Sequence, residues 1–163
     1  MADQDGRIAV VTGGGRGLGS AFALGLAEQG AHVIAVARSA DELAETARLA
    51  EERGTRGIVT PIACDVADHL AVADLRREVL GRVGQPTILV NAAGIFGPIA
   101  LIKDVDPEAW MRSLMVDAVA PLYTFNSFLE GLLEAGWGRI VYVSSAGALD
   151  PPWPINSAYG TAK

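Results

Sequence analysis

Cysteine is nearly missing from this 163-residue sequence: Cys64 stands alone, with no partner ligand nearby. An internal disulfide is therefore excluded, no metal-binding cluster is spelled out, and a reducing, cytoplasmic compartment is the expectation. Runs of positive charge are missing as well. The net charge of -6 arises from acids and bases mixed along the chain, so nothing is placed to track a phosphate backbone or an anionic bilayer, and neither nucleic acid nor membrane is expected as a partner. No apolar run reaches membrane-spanning length, and the opening MADQDGR has no signal-peptide apolar core. Internal repeats and low-complexity linkers are absent, which leaves residues 1–163 as one domain. Half of the residues are apolar, enough for a substantial core.

What is present is an alternation. IAVVT (8–12), HVIAVA (32–37), GIVTPIA (57–63), TILVNAA (87–93) and RIVYVSS (139–145) are β-branched, nearly continuous apolar runs, the pattern of parallel strands buried on both faces. Helical segments join them. The first runs from Gly17 to Gln29 with Gly30 as its stop and Leu18, Phe22, Leu26 and Ala27 as the buried stripe. The second covers 40–53. The third covers 68–83, with Asp68 as N-cap and Leu75, Val79, Leu80 and Val83 facing inward. In DPEAW, Asp106 caps and Pro107 opens a long helix towards Ala135, ended by Gly136 and Gly138. Strand and helix in this succession predict an α/β fold: a Rossmann-type, doubly wound parallel sheet in three layers, strand order 3-2-1-4-5.

The loop TGGGRGLG, Thr12 to Gly19, lies between the first strand and the first helix. Glycines there permit a tight turn and let backbone N–H groups approach a pyrophosphate at the helix N-terminus. A ligand-free glycine turn is the competing reading, and the position directly after an opening strand favours binding. Thr12-Gly13-x-x-x-Gly17-x-Gly19 resembles the cofactor loop of the short-chain dehydrogenase/reductase family, a spacing distinct from GxGxxG. Further resemblances follow in the family's order: CDV with Asp65 and Val66, LVNAAG with Asn91 kept and Ala92 in place of a second asparagine, Ser145 at the end of the fifth strand, and YGTAK with Tyr159 and Lys163.

This resemblance implies an oxidoreductase that interconverts a small-molecule carbonyl and an alcohol by hydride transfer, working as a homo-oligomer. It implies a cofactor site made by Thr12, Gly13, Gly15, Arg16, Gly17, Leu18, Gly19, Arg38, Asp65, Val66, Asn91, Ala92, Ala93 and Gly94, together with Tyr159 and Lys163. In the family an acid at the Asp65 position hydrogen-bonds adenine; a plain turn role is the other reading. Tyr159 is the implied general acid/base. A phenol of ordinary pKa, about 10, needs a cation beside it to act near neutrality, and Lys163, four residues on, shares its helix face. Ser145 is the implied orienting residue for the carbonyl oxygen, and Ser144 stays open because neighbouring strand side chains point to opposite faces. Where the family usually carries an asparagine in its long helix, this sequence has Asp117. Pro121, four residues on, has no N–H to offer the Asp117 carbonyl, which leaves that oxygen free for the water relay that the resemblance implies behind the lysine, while the carboxylate adds negative charge there. A catalytic contribution and a structural acid are both readings of Asp117.

At the end of the second strand, where an NAD enzyme usually carries an acid, stands Ala37, followed by Arg38. Arg16 is a second cation on the same side. Two guanidiniums and no carboxylate favour a 2′-phosphate, hence NADP(H) over NAD(H); a solvated Arg38 stacked on adenine is the alternative. The family continues beyond the tyrosine and lysine with the rest of their helix, two more strands and a substrate loop. The sequence therefore reads as the amino-terminal portion of a reductase, with a final helix left undocked and little turnover expected of the chain by itself. A catalytically silent dinucleotide-binding module, and more distantly a Rossmann-type methyltransferase, are the other functional classes. Ile95, Phe96, Trp110 and Trp153 indicate a partly apolar substrate approach without naming a substrate.

Overall fold

The computed structural model describes residues 3–149 and 154–163; Trp153 lies outside them. Five parallel strands, β1 (Ile8–Thr12), β2 (His32–Ala37), β3 (Val59–Ala63), β4 (Ile88–Asn91) and β5 (Arg139–Tyr142), form one sheet in the order β3-β2-β1-β4-β5. The expected doubly wound α/β topology is what the chain adopts. In register, Val10 pairs with Ile34 and Leu89, while Thr12 pairs with Asn91. The ends of β1 and β4, where both loops of the predicted cofactor site begin, therefore lie side by side.

Alternation along the strands builds a core on each face of the sheet. Ala9, Val11, Val33, Ala35 and Val90 pack with Ala23, Leu24 and Leu43 from helices α1 (Gly17–Glu28) and α2 (Ala40–Glu52). Val10, Ile34, Val36 and Leu89 pack on the other side with Val72, Leu75 and Val79 of α3 (His69–Arg82) and Phe128 and Leu132 of α5 (Ala120–Glu134). Each fully buried Val, Leu, Ile or Phe side chain among them contributes about 1.5–3 kcal/mol. Of the expected α1 stripe, Ala27 is buried and Phe22 and Leu26 pack against the core, while Leu18 departs from it. Leu18 is 63% exposed, and Gly19, Ala23, Leu24 and Ala27 face inward, because the first turn packs its glycines on the loop rather than a leucine on the sheet.

Two other expectations change. The fifth strand is exposed along its length, since it forms the sheet edge beyond β4. The long helix after Pro107 is interrupted: α4 (Pro107–Leu114) passes into a π-turn at Met115–Val119 before α5. Asp106 caps α4 through the N–H groups of Glu108 and Ala109, as its position predicts. The interruption follows from Pro121, which cannot complete the i→i−4 bond to Asp117; Ala120 N–H instead reaches back to Met115. Asp117 sits at the centre of this π-turn and is fully buried.

The last helix, α6 (Ser157–Ala162), is docked rather than loose. Ala158 and Ala162 are buried, and the Trp110 indole N–H of α4 donates to Ser157 Oγ at 3.3 Å. Small residues let α6 approach α4 closely, which the short length of the helix did not foretell. Among the described residues no helix is long and apolar enough to cross a membrane, and no group of His, Cys, Asp and Glu could hold a metal ion.

Candidate functional site

Close backbone contacts at Gly13 and Gly19 leave no room there for side chains. Gly13 has φ +68°, and a Cβ on it would lie 2.8 Å from Ala93 N; one on Gly19 would lie 2.1 Å from the Gly13 carbonyl oxygen. Thr12 Oγ1, almost fully buried, accepts from Ala92 N–H and Ala93 N–H, both at 3.2 Å. One hydroxyl thus ties the loop after β1 to the loop after β4. Helix α1 opens at Gly17 with Arg16 as an N-cap that makes no side-chain bond, so its first N–H groups remain available to an anion.

A cleft of about 590 Å³ opens over this loop at the carboxyl ends of the strands. Gly13, Gly15, Arg16, Gly17, Leu18, Gly19, Arg38, Asp65, Val66, Ala92, Ala93, Gly94, Tyr159 and Lys163 all line it. Thr12, Asn91, Asp117 and Ser145 are not lining residues. Thr12 and Asn91 lie beneath it: the Asn91 side-chain oxygen accepts from buried Thr124 Oγ1 at 2.7 Å. A nicotinamide dinucleotide fits the cradle in one structural respect, since any Cβ on Gly13, Gly15 or Gly19 would strike neighbouring atoms that now form its floor.

At one end of the cleft stand Tyr159 of α6 and Lys163, the residue that directly follows this helix. Lys163 Nζ lies 5.7 Å from the Tyr159 ring centre, donates to the Val143 carbonyl at 3.3 Å, and sits 3.7 Å from Asp117 Oδ2. Both members of this ion pair are buried, at 6% and 0% exposure. Burial pushes the Asp117 carboxyl above the ordinary carboxylate range, against the pull of the Ile95 N–H, which donates to Oδ1 at 2.7 Å, and of Lys163. The Asp117 carbonyl, which lacks a helical partner, accepts from the Tyr142 hydroxyl at 2.7 Å and keeps a second lone pair. Burial, followed by the charges of Asp117 and Tyr159, raises the pKa of that Tyr142 phenol.

Phe96 stacks on Tyr159, with ring centres 4.8 Å apart. Ser144 lines the cleft and donates to the Lys163 carbonyl at 3.1 Å. Ser145 caps the short 3₁₀ turn Ala146–Ala148 through Gly147 N–H. Its Oγ and the Tyr159 ring both lie 3.6 Å from where a Cβ on Gly147 would be, so the serine and tyrosine both border that glycine. Ile95 and Phe96 border the cleft as expected of substrate-side residues, whereas Trp110 is taken up in docking α6.

The opposite end carries Arg16, Arg38, Ser39 and Glu42. Glu42 was not anticipated: its carboxylate stands 3.7 Å from the Arg16 guanidinium, so this corner does contain an acid. Asp65 lines the cleft and also serves its turn, accepting from Ala67 N–H at 3.0 Å and pairing with Arg112 at 3.6 Å. Cys64 lies beside it. Burial, reinforced by neighbouring aspartates, pushes its thiol up to about 11, which keeps it un-ionised near neutrality. Acids in a helix's first turn are ordinary dipole partners, so nothing in the pattern singled out Glu42; Tyr142 likewise reads as a routine strand residue.

This chain resembles known proteins in sequence and in fold. The family model described as short chain dehydrogenase matches residues 7–163. The 3-oxoacyl-[acyl-carrier-protein] reductase FabG of Pseudomonas aeruginosa is 33% identical over 159 residues, covering 97% of this chain and 62% of the reductase. The crystal structure of a metagenomic short-chain oxidoreductase in complex with NADP superposes with a TM-score of 0.91 at 30% identity, over 99% of this chain and 72% of that one. NAD+-bound xylitol dehydrogenase superposes with a TM-score of 0.91 at 27% identity, over 99% of this chain and 61% of the dehydrogenase. The chain spans between 31% and 62% of the length of the curated relatives it matches. With the family match running over the whole sheet and cleft, this chain belongs to the short-chain dehydrogenase/reductase family.

Proposed function

We propose that the protein carrying this sequence is an NADP(H)-dependent oxidoreductase that interconverts a carbonyl and an alcohol, with Tyr159 as the proton donor and acceptor. The observation that supports this most is the placement of Tyr159 and Lys163 in the same cleft as the glycine loop. The loop N–H groups and the start of α1 would hold the pyrophosphate, Asp65 and Val66 would border the adenine, and Arg16 and Arg38 would face a 2′-phosphate. A bound nicotinamide dinucleotide supplies or accepts the hydride.

Negative charge develops on the carbonyl oxygen as it is reduced, and a proton must meet it there. Tyr159 gives that proton from its hydroxyl. The Lys163 ammonium, held against Val143 and Asp117, stabilises the phenolate left behind. Ser145, which with the tyrosine ring borders Gly147, would orient the substrate oxygen. Asp117 acts behind the lysine through its carboxyl, which stands 3.7 Å from Lys163 Nζ. In the reverse direction the same groups take the proton from an alcohol.

The proposal extends to a single domain and to a homo-oligomer in a reducing, cytoplasmic compartment; size-exclusion chromatography tests the oligomer. The cofactor assignment is tested by titrating the chain with NADPH and following the cofactor's fluorescence. Saturable binding that is competed by NADP+ and raises the melting temperature is expected, while a folded chain with no saturable binding would overturn it.

A further inference from the structure

The corner of the cleft that carries Arg16 and Arg38 also contains an acid, Glu42, 3.7 Å from the Arg16 guanidinium. Glu42 lies in the first turn of α2, where its N–H donates to the Ser39 cap at 3.2 Å. That turn is pinned to the glycine loop from below: Thr46, buried, donates to the Gly15 carbonyl at 3.2 Å and lies 2.9 Å from Ser20 Oγ. Gly15 itself fits only because it has no side chain, since a Cβ there would stand 2.9 Å from Glu42 Cβ and 3.4 Å from its Oε2. The stem of Glu42 is thus packed on the loop. Arg16, with its side chain 83% exposed, is the partner that leans towards it, against 42% exposure for Glu42.

We propose, resting on the dinucleotide reading of this cleft, that Glu42 is a specificity-determining residue which holds down the preference for a 2′-phosphate and keeps the site open to both dinucleotides. A carboxylate accepts a hydrogen bond from a 2′-hydroxyl at no electrostatic cost. A 2′-phosphate entering the same corner meets like charge, and it must share or displace the Arg16 guanidinium that Glu42 already engages. Arg38 opposes this effect, so the balance between the two dinucleotides is set by one acid against two guanidiniums. Solvent reaches all three groups, which limits the effect to a modest factor and makes it sensitive to salt.

The test is a pair of dissociation constants, for NADPH and NADH, measured on the unaltered chain and on Glu42→Gln, which keeps the shape and an acceptor oxygen but removes the charge. At low ionic strength Glu42→Gln is expected to raise the NADPH-to-NADH affinity ratio by about tenfold, with most of the change in the NADPH constant. In about 0.5 M salt the gain should shrink to about twofold. Thermal melts of both proteins establish that each is folded. If both dinucleotides bind and the ratio stays within about twofold of the unaltered chain at low salt, Glu42 has no part in selection and the inference is overturned. A folded chain that binds neither dinucleotide instead defeats the cofactor reading, and the inference with it.

Discussion

Replacing Thr12 by valine isolates the bond that holds the two walls of the cleft together. Valine keeps the β-branched shape that suits the end of β1, so neither packing volume nor strand propensity changes much. What disappears is the oxygen that accepts from Ala92 N–H and Ala93 N–H at 3.2 Å each. Two backbone donors then face a methyl group. A donor left unsatisfied in a fully buried site costs about 1–3 kcal/mol. Ala92 and Ala93 are partly exposed, so water recovers some of this, and about 1–3 kcal/mol is expected for the pair together. In a protein of this size 1 kcal/mol moves the melting temperature by about 2–4 °C, so Thr12→Val should melt about 2–12 °C lower. If re-ordering the loop costs about 1.4 kcal/mol on binding, NADPH affinity falls about tenfold. Thr12→Ser keeps the hydroxyl and loses one methyl, about 0.8 kcal/mol, and should bind NADPH as the unaltered chain does. Circular-dichroism melts and NADPH titrations on the three proteins decide the matter. A Thr12→Val chain that melts within about 1 °C of the original and binds NADPH equally well would refute the reasoning.

Other consequences are as direct. The Asp117 carboxyl is raised above its ordinary value of 3.8, so the folded chain holds that proton more tightly than the unfolded chain does. Its contribution to stability is complete below that ordinary value and is lost as pH rises through the raised one. Asp117→Asn removes this loss while keeping an acceptor for Ile95 N–H; its melting temperature relative to the original should therefore rise as the pH is increased from below 3.8 through the raised value, and a pH-independent difference would contradict the assignment. Arg38→Asp should reduce the NADPH-to-NADH affinity ratio by about tenfold or more, measured by paired titrations; an equal loss for both cofactors would remove Arg38 from the 2′-phosphate site.

The sequence discloses the sheet because β-branched runs of fixed length have few alternatives, and it discloses the loop because glycine spacing is itself the steric requirement at Gly13 and Gly19. It is silent where partners lie far apart along the chain. Trp110 and Ser157, 47 positions apart, dock α6, and no local pattern announces that bond. Tyr142 and Asp117, 25 apart, meet only because Pro121 opens a π-turn whose carbonyl faces β5. Pro121 predicts that the carbonyl loses its helical partner; it does not predict which group takes its place. Leu18, alone of its expected stripe, fails for a related reason. Helical periodicity assumes that the largest residue faces the core, whereas the first turn of α1 is packed by what the loop excludes.

The central claim is that Tyr159 transfers the proton at the end of a cleft whose other residues hold the cofactor. The most direct measurement is ketone-dependent loss of NADPH absorbance by the protein carrying this sequence, with and without Tyr159→Phe, alongside NADPH titration of both. The account predicts an unchanged dissociation constant, because the ring and its stacking on Phe96 remain, and turnover lower by about 100-fold or more, because only the transferable proton is gone. Turnover undiminished in Tyr159→Phe would contradict it.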